Sequence, residues 1–276
     1  MAERFLKGTT PNPLFSDNLI KLLPKSDIHC HLDGSMRLKT LIELSQEQGL
    51  ELPSYDEEEL RAILFPPTYK DLVEYLKGFS YLTAVLRDAK ALERVSFEVA
   101  EDCYCEGVRY VELRFAPHLH AIPEKLSVEE IILSVNRGLE RAAKIYNNID
   151  EDVKSGLAPE YKYGIIVCGM RYFNEHFSPY YSQLIEMFKH EDKKTLYGLA
   201  TKQLVKEAVF IRDTMGIPIV ALDIAGPENH YPAADHAEAF KFAHENFMNK
   251  TIHAGEAYGP ESIYQVSPEF LHPSSF

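Results

Sequence analysis

The sequence predicts a parallel α/β fold, and three observations lead to it. Short apolar runs rich in Val, Ile and Tyr alternate with longer helical patterns, the order that lays down parallel strands joined by helical crossovers. Several runs are almost continuously apolar, as strands covered on both faces are. Histidine-bearing segments fall at the C-terminal ends of two strands, where a parallel barrel builds its active site. An open doubly wound sheet competes, but no dinucleotide fingerprint follows the first strand, which weakens that alternative. The expected fold class is α/β with a TIM-type (β/α) barrel that is incomplete, because the sequence carries about five of the roughly eight βα units such a barrel needs.

The elements follow in order. Strands are expected over 26–32, 108–116, 163–170, 217–225 and 251–254, each a short apolar run bounded by turn residues. A helix over 36–48 follows Ser35, a suitable N-cap. A second, over 89–106, ends at Gly107, a suitable C′ residue. Ser127-Val128-Glu129-Glu130 is a capping box that opens a helix running to about Tyr146. Helices over 199–215, closed by Gly216, and over 233–247 complete the set. Between residues 50 and 70, Pro53, Pro66 and Pro67 interrupt the pattern, and no sustained element is expected.

Composition bounds the function. The 276 residues, 45% of them hydrophobic, suffice for one large core. The formal charge of −13 argues against nucleic-acid phosphates or anionic membrane as partners and fits a small neutral or cationic molecule. The first ten residues contain no apolar run of the signal-peptide kind, and no later stretch reaches bilayer length. The expectation is a soluble, cytoplasmic chain. The four cysteines suggest neither a disulfide framework nor a second metal site. Cys103 and Cys105 point apart on a helix, while Cys30 and Cys168 read as small apolar packers in strands.

Chemistry concentrates in two segments. In Asp27-Ile28-His29-Cys30-His31-Leu32-Asp33-Gly34-Ser35, residues i and i+2 of an extended strand leave from one face. His29 and His31 can therefore aim at one point with Cys30 turned away. Far downstream, Thr251-Ile252-His253-Ala254-Gly255-Glu256 offers a third imidazole with a carboxylate three residues later. Three histidines, an acid and an open metal position are the parts of a hydrolytic zinc centre. A lone His-x-His is weak evidence, since imidazoles also serve as core or surface groups. The pair His118 and His120 follows Pro117 and reads as loop. Glu256 alone could equally be a helix N-terminal acid; beside the histidine pair it reads as a proton carrier for a water.

Together these segments resemble the adenosine deaminase family, zinc-dependent barrel hydrolases of purine metabolism. The matching pieces are 27–35, Val111-Glu-Leu-Arg-Phe-Ala-Pro-His118, Asp223-Ile-Ala-Gly-Pro-Glu228 and 251–256, in the family's order. The resemblance implies hydrolytic deamination of adenosine and 2′-deoxyadenosine to the inosine product and ammonia, with one Zn2+ ion as cofactor. It implies His29, His31 and His253 as zinc ligands, and Glu256 as the catalytic group that protonates purine N1. The Gly226 backbone would meet purine N3, and Asp33 would bind the ribose 5′-hydroxyl. Tyr75 and Phe79 would line the apolar side of the purine pocket, although an i, i+4 aromatic pair is also ordinary core. The fourth strand carries no lysine to bridge two metals, in keeping with a single ion. Asp33 favours a nucleoside over a nucleotide, since a carboxylate repels a 5′-phosphate.

The family's later segments, one of the His-Ala-Asp-Arg-Ile-Gly-His-Gly type and one containing Thr-Asp-Asp, do not occur in the sequence. The first would supply a second catalytic histidine, the second a further zinc ligand. The expected organisation is therefore a C-terminally truncated hydrolase domain over 1–265 and a divergent tail over 266–276, in which His272 has no assigned role. Impaired activity is expected, and the alternative function is a non-catalytic remnant that keeps part of the zinc and purine face.

Overall fold

The computed structural model describes residues 16–266. Five strands form one sheet: β1 (Lys25–His31), β2 (Val108–Phe115), β3 (Lys162–Met170), β4 (Ile219–Ala225) and β5 (Asn249–Lys250). They lie in the order β1-β2-β3-β4-β5, and every neighbouring pair is parallel. Each crossover thus returns the chain beside the strand just made, as successive βα units do in a barrel wall. All five C-terminal ends consequently fall along one edge. Of the tail expected over 266–276, Val266 packs against the core and residues 267–276 lie outside the described residues.

Packing follows from the apolar faces. β3 is buried along nearly its whole length, as its unbroken apolar run requires. Helices Ala89–Cys105 and Val128–Ile149 pack side by side on the sheet, burying Leu92, Val95, Ile131, Val135 and Leu139 completely. Burial of each such side chain is worth about 1.5–3 kcal/mol. Gly138 lets the two helices touch: a Cβ there would lie 2.1 Å from Ser96 Oγ and 2.3 Å from the Glu93 carbonyl. No helix among the described residues is long and apolar enough to cross a membrane.

Several expectations need correction. The fifth strand is Asn249–Lys250, earlier and shorter than 251–254. Its ladder stops because side chains take over from the neighbouring backbone. Thr251 N–H still donates to the Leu222 carbonyl (2.9 Å), but His253 N–H donates to the Asp223 carboxylate (3.2 Å). Ser35 caps no helix. The first long helix is Leu38–Gln48 with Arg37 at its N-cap position, where the guanidinium instead bridges Glu101 and Asp102.

The proline-flanked stretch 50–70 does hold a helix, Glu57–Leu64, because Asp56 caps it and the prolines lie outside it. The helix expected over 199–215 begins earlier, as Lys193–Met215, where Asp192 accepts the Lys194 and Thr195 N–H groups. The helix expected over 233–247 is divided into a 3₁₀ turn, Ala233–His236, and an α-helix, Ala237–Glu245. His118 and His120 do not lie in a loop. They belong to the single helical turn Pro117–His120 and are both buried, His118 stacked on Tyr180 with centroids 4.0 Å apart.

Candidate metal centre and pocket

The end of β1 is irregular, and the irregularity aims its histidines. Its register against β2 shifts between Asp27 and Cys30, and Asp27 Oδ1 accepts the His29 N–H at 2.9 Å. His29 and His31 face one side. Cys30 faces the other, where its buried Sγ lies 3.4 Å from Ser35 Oγ. His253 arrives from the segment after β5. The Nε2 atoms of His29 and His253 are 3.0 Å apart, those of His31 and His253 3.1 Å, and those of His29 and His31 3.3 Å. Among the described residues, no other group of three His, Cys, Asp or Glu side chains converges in this way.

Three ring nitrogens so close cannot all direct lone pairs at one another without a proton or a cation between them. Nitrogens bound to a tetrahedral zinc lie about 3.3–3.4 Å apart, so the donor set and its spacing fit that ion. Electrostatics point the same way. Burial first, then the charge of Arg114 and the nearby His253, lowers the pKa of His29. Burial, then His253 and His29, brings His31 down to about 4. Both rings are therefore neutral at pH 7, the form in which imidazole ligates.

Beneath the histidines lies a buried ion pair. Asp223 of β4 and Arg114 of β2 meet at 2.8 Å, both almost fully excluded from solvent. Arg114 also donates to the Ile28 carbonyl of β1 at 2.7 Å. The second Asp223 oxygen accepts the Ile224 and His253 N–H groups. Asp223 Oδ2 lies 2.8 Å from His253 Nδ1, at ion-pair distance though off the line of a hydrogen bond. A carboxylate beside Nδ1 favours the proton there and leaves Nε2 as the free lone pair.

A cavity of about 590 Å³ opens over the three imidazoles. Tyr75 and Phe79 line one side, with ring centroids 5.3 Å apart edge to face. Asp33, Gly226 and Glu256 line it as well, so the structure brings all eight expected site residues around one space. Asp33 is buried, and that burial raises its carboxyl to about 6 against the opposing pull of the Gly34 and Asp33 backbone N–H groups. Glu256 is solvent-exposed at the cavity wall.

Four further residues support the site without having been singled out from the sequence. Arg114 and Asp223 hold His253 and the strand ends, as described. Glu228 accepts the N–H groups of Gly255 (2.6 Å), Ala257 (2.6 Å) and Tyr258 (2.9 Å). Arg171, fully buried, donates to the carbonyls of His253 (2.6 Å) and Tyr231 (2.5 Å). A signal existed for the first pair: a charge inside an apolar strand run, as in Leu-Arg-Phe and Leu-Asp-Ile, is costly unless paired. Glu228 and Arg171 sit in loops, where a charge carries no such signal.

Comparison with known proteins gives consistent results. The family model described as adenosine deaminase matches residues 24–269. An adenosine deaminase of Clostridium perfringens is 32% identical over 244 residues, covering 88% of this chain and 61% of the relative. The chain thus spans about three fifths of that relative's length. Among solved structures, the Arabidopsis N6-mAMP deaminase superposes with a TM-score of 0.65 at 23% identity, covering 90% of this chain and 63% of that one. A Burkholderia ambifaria amidohydrolase with bound Zn gives a TM-score of 0.66 at 18% identity, covering 93% and 60%. At these identities the two structures speak for the fold alone.

Proposed function

The chain belongs to the adenosine deaminase family, and on that premise we propose that its pocket hydrolyses the 6-amino group of adenosine and 2′-deoxyadenosine, at a rate impaired by the lack of the family's second catalytic histidine and further zinc ligand. Water adds at purine C6, the C6–N6 bond breaks, and inosine or 2′-deoxyinosine leaves with ammonia. The observation that carries this reading is the convergence of three Nε2 atoms, 3.0–3.3 Å apart, in the floor of a cavity of about 590 Å³. That volume lies within the range of about 300–1,000 Å³ typical of small-molecule sites.

His29, His31 and His253 would hold a single zinc ion. Zinc supplies, when bound, the Lewis acidity that lowers the pKa of water from about 15.7 to about 7. The residues present in the chain have the following roles. Glu256 takes the proton of the attacking water and delivers it to purine N1, drawing electron density from C6. The Gly226 N–H donates to purine N3. Tyr75 and Phe79 cover the base and exclude water. Asp33 accepts a hydrogen bond from the ribose 5′-hydroxyl. The domain extends over 1–265, with 266–276 as a tail, and acts in the cytoplasm on a small purine nucleoside.

Asp33 also sets the substrate class. At pH 7 its carboxyl, with a pKa of about 6, is mostly ionised and repels a 5′-phosphate. The test is an assay of the purified zinc-supplemented chain with adenosine, 2′-deoxyadenosine and AMP. Inosine and 2′-deoxyinosine are the expected products, with little IMP. IMP formation as fast as inosine formation would overturn the nucleoside assignment, and no product from any substrate would overturn the activity.

A further inference from the structure

We infer that Glu228 is a positioning residue: its buried carboxylate fixes the path of the loop 253–258 and thereby the positions of His253 and Glu256. The inference rests on the reading of those two residues as ligand and proton carrier. The loop leaves the sheet where β5 ends, so its N–H groups have no strand to meet. Glu228 replaces that strand. One oxygen takes the Gly255 N–H at 2.6 Å, and the other takes Ala257 at 2.6 Å and Tyr258 at 2.9 Å. Glu256 is flanked by these three anchored amides. Its neighbours Ala257 and Tyr258 are solvent-exposed, so water competes freely for any amide the carboxylate does not hold.

The opposite end of the loop is held by a cation. Arg171 bridges the His253 and Tyr231 carbonyls at 2.6 and 2.5 Å, and the Tyr231 N–H donates back to the Glu228 carbonyl at 3.1 Å. The loop after β4 and the loop after β5 are thus tied by one acid and one base. Gly255 permits the arrangement. Its φ of +84° is a left-handed conformation, and a Cβ there would sit 2.7 Å from the Ile263 side chain. An uncharged amide at 228 cannot replace the carboxylate, because one of its two polar ends is itself a donor facing a backbone N–H.

Two measurements on the full chain test this: amide hydrogen exchange at Gly255, Ala257 and Tyr258, and zinc affinity by chelator competition. In the unmodified chain the Ala257 and Tyr258 amides, despite their exposure, are expected to exchange at least about tenfold more slowly than free peptide. Glu228→Gln is expected to remove that protection and to weaken zinc binding by about ten- to a hundredfold, with its melting transition still cooperative. Glu256→Gln is expected to leave zinc affinity unchanged. Unprotected amides in the unmodified chain overturn the inference. So do retained protection or unchanged zinc affinity in folded Glu228→Gln.

Should Glu228→Gln not fold, Glu228→Asp decides: it keeps the charge but shortens the reach, so full protection at all three amides overturns the inference. A chain that takes up no zinc, yet loses amide protection in Glu228→Gln, overturns the zinc reading while supporting the role of Glu228.

Discussion

Asp223 Oδ2 lies 2.8 Å from Nδ1 of His253, and Asp223 Oδ1 accepts the backbone N–H of the same histidine at 3.2 Å. One buried carboxylate thus holds the main chain of a residue distant in sequence by a hydrogen bond and lies at ion-pair distance from its ring. It is itself neutralised by Arg114 at 2.8 Å. A carboxylate behind a ligand imidazole fixes the ring and raises the basicity of the nitrogen that faces the metal.

Asp223→Asn is therefore expected to weaken zinc binding by about ten- to a hundredfold. It also leaves the Arg114 guanidinium buried opposite a neutral group, a change that costs about 3–5 kcal/mol when one partner of a buried pair is lost. Urea unfolding of the metal-free variant separates the second effect from the first.

Acid is expected to destabilise the chain. Burial lowers the pKa values of His118, His120 and His236 to about 3 each. A folded pKa below the unfolded one means that the unfolded chain binds more protons. Stability is thus full above pH 6.5 and falls as the pH drops towards 3. Each histidine loses about 1.4 kcal/mol per pH unit in that window, or about 2 kcal/mol at pH 5. Asp33 works the other way, since its carboxyl is raised to about 6 and favours the folded state as pH falls from 6 to 3.8. Three histidines outweigh one aspartate, and urea midpoints should drop between pH 7 and pH 5. His118→Phe, which keeps an aromatic ring against Tyr180, should lessen that drop.

Asp33→Asn is expected to raise the KM for adenosine by about ten- to a hundredfold, the value of a hydrogen bond to a charged group. It should also narrow the preference for adenosine over AMP, because the repelling charge is gone. Steady-state kinetics on both substrates checks the two effects together.

Glu256→Gln is expected to lower kcat by about 10²–10⁴, the usual contribution of a positioned acid–base group. Its zinc content should stay that of the unmodified chain, since Glu256 is absent from the converging donor set. Parallel turnover and metal assays distinguish loss of the proton carrier from loss of the metal.

Much of this was legible in the sequence, for physical reasons. β2 to β4 stand out because largely buried strands must be mostly apolar, whereas β1, in which only Cys30 is buried, stands out by its His-x-His spacing. The helix Ala89–Cys105 and the cap at Ser127 follow from local backbone chemistry, and Ser127 Oγ does accept the Glu130 N–H at 3.1 Å. Glu130 does not return the bond. Its carboxylate turns to Ser134 and Arg137, one and two turns along the same helix. The end of β5 was illegible because its partners are distant in sequence. Thr251 and Ile252 have strand-like side chains, but the ladder is broken by carboxylates from residues 223 and 228 in another unit. His118 and His120 read as loop because Pro117 precedes them, and His118 is covered by Tyr180, which is distant in sequence.

The most direct test of the account is zinc stoichiometry. The purified chain, stripped with a chelator and re-equilibrated with zinc, is assayed by mass spectrometry of the metal beside His29→Asn, His31→Asn and His253→Asn. The account predicts one zinc per unmodified chain and a large loss of affinity in each variant, because the three Nε2 atoms converge within 3.0–3.3 Å. A chain that retains no zinc, or that binds it equally well without His253, would contradict it.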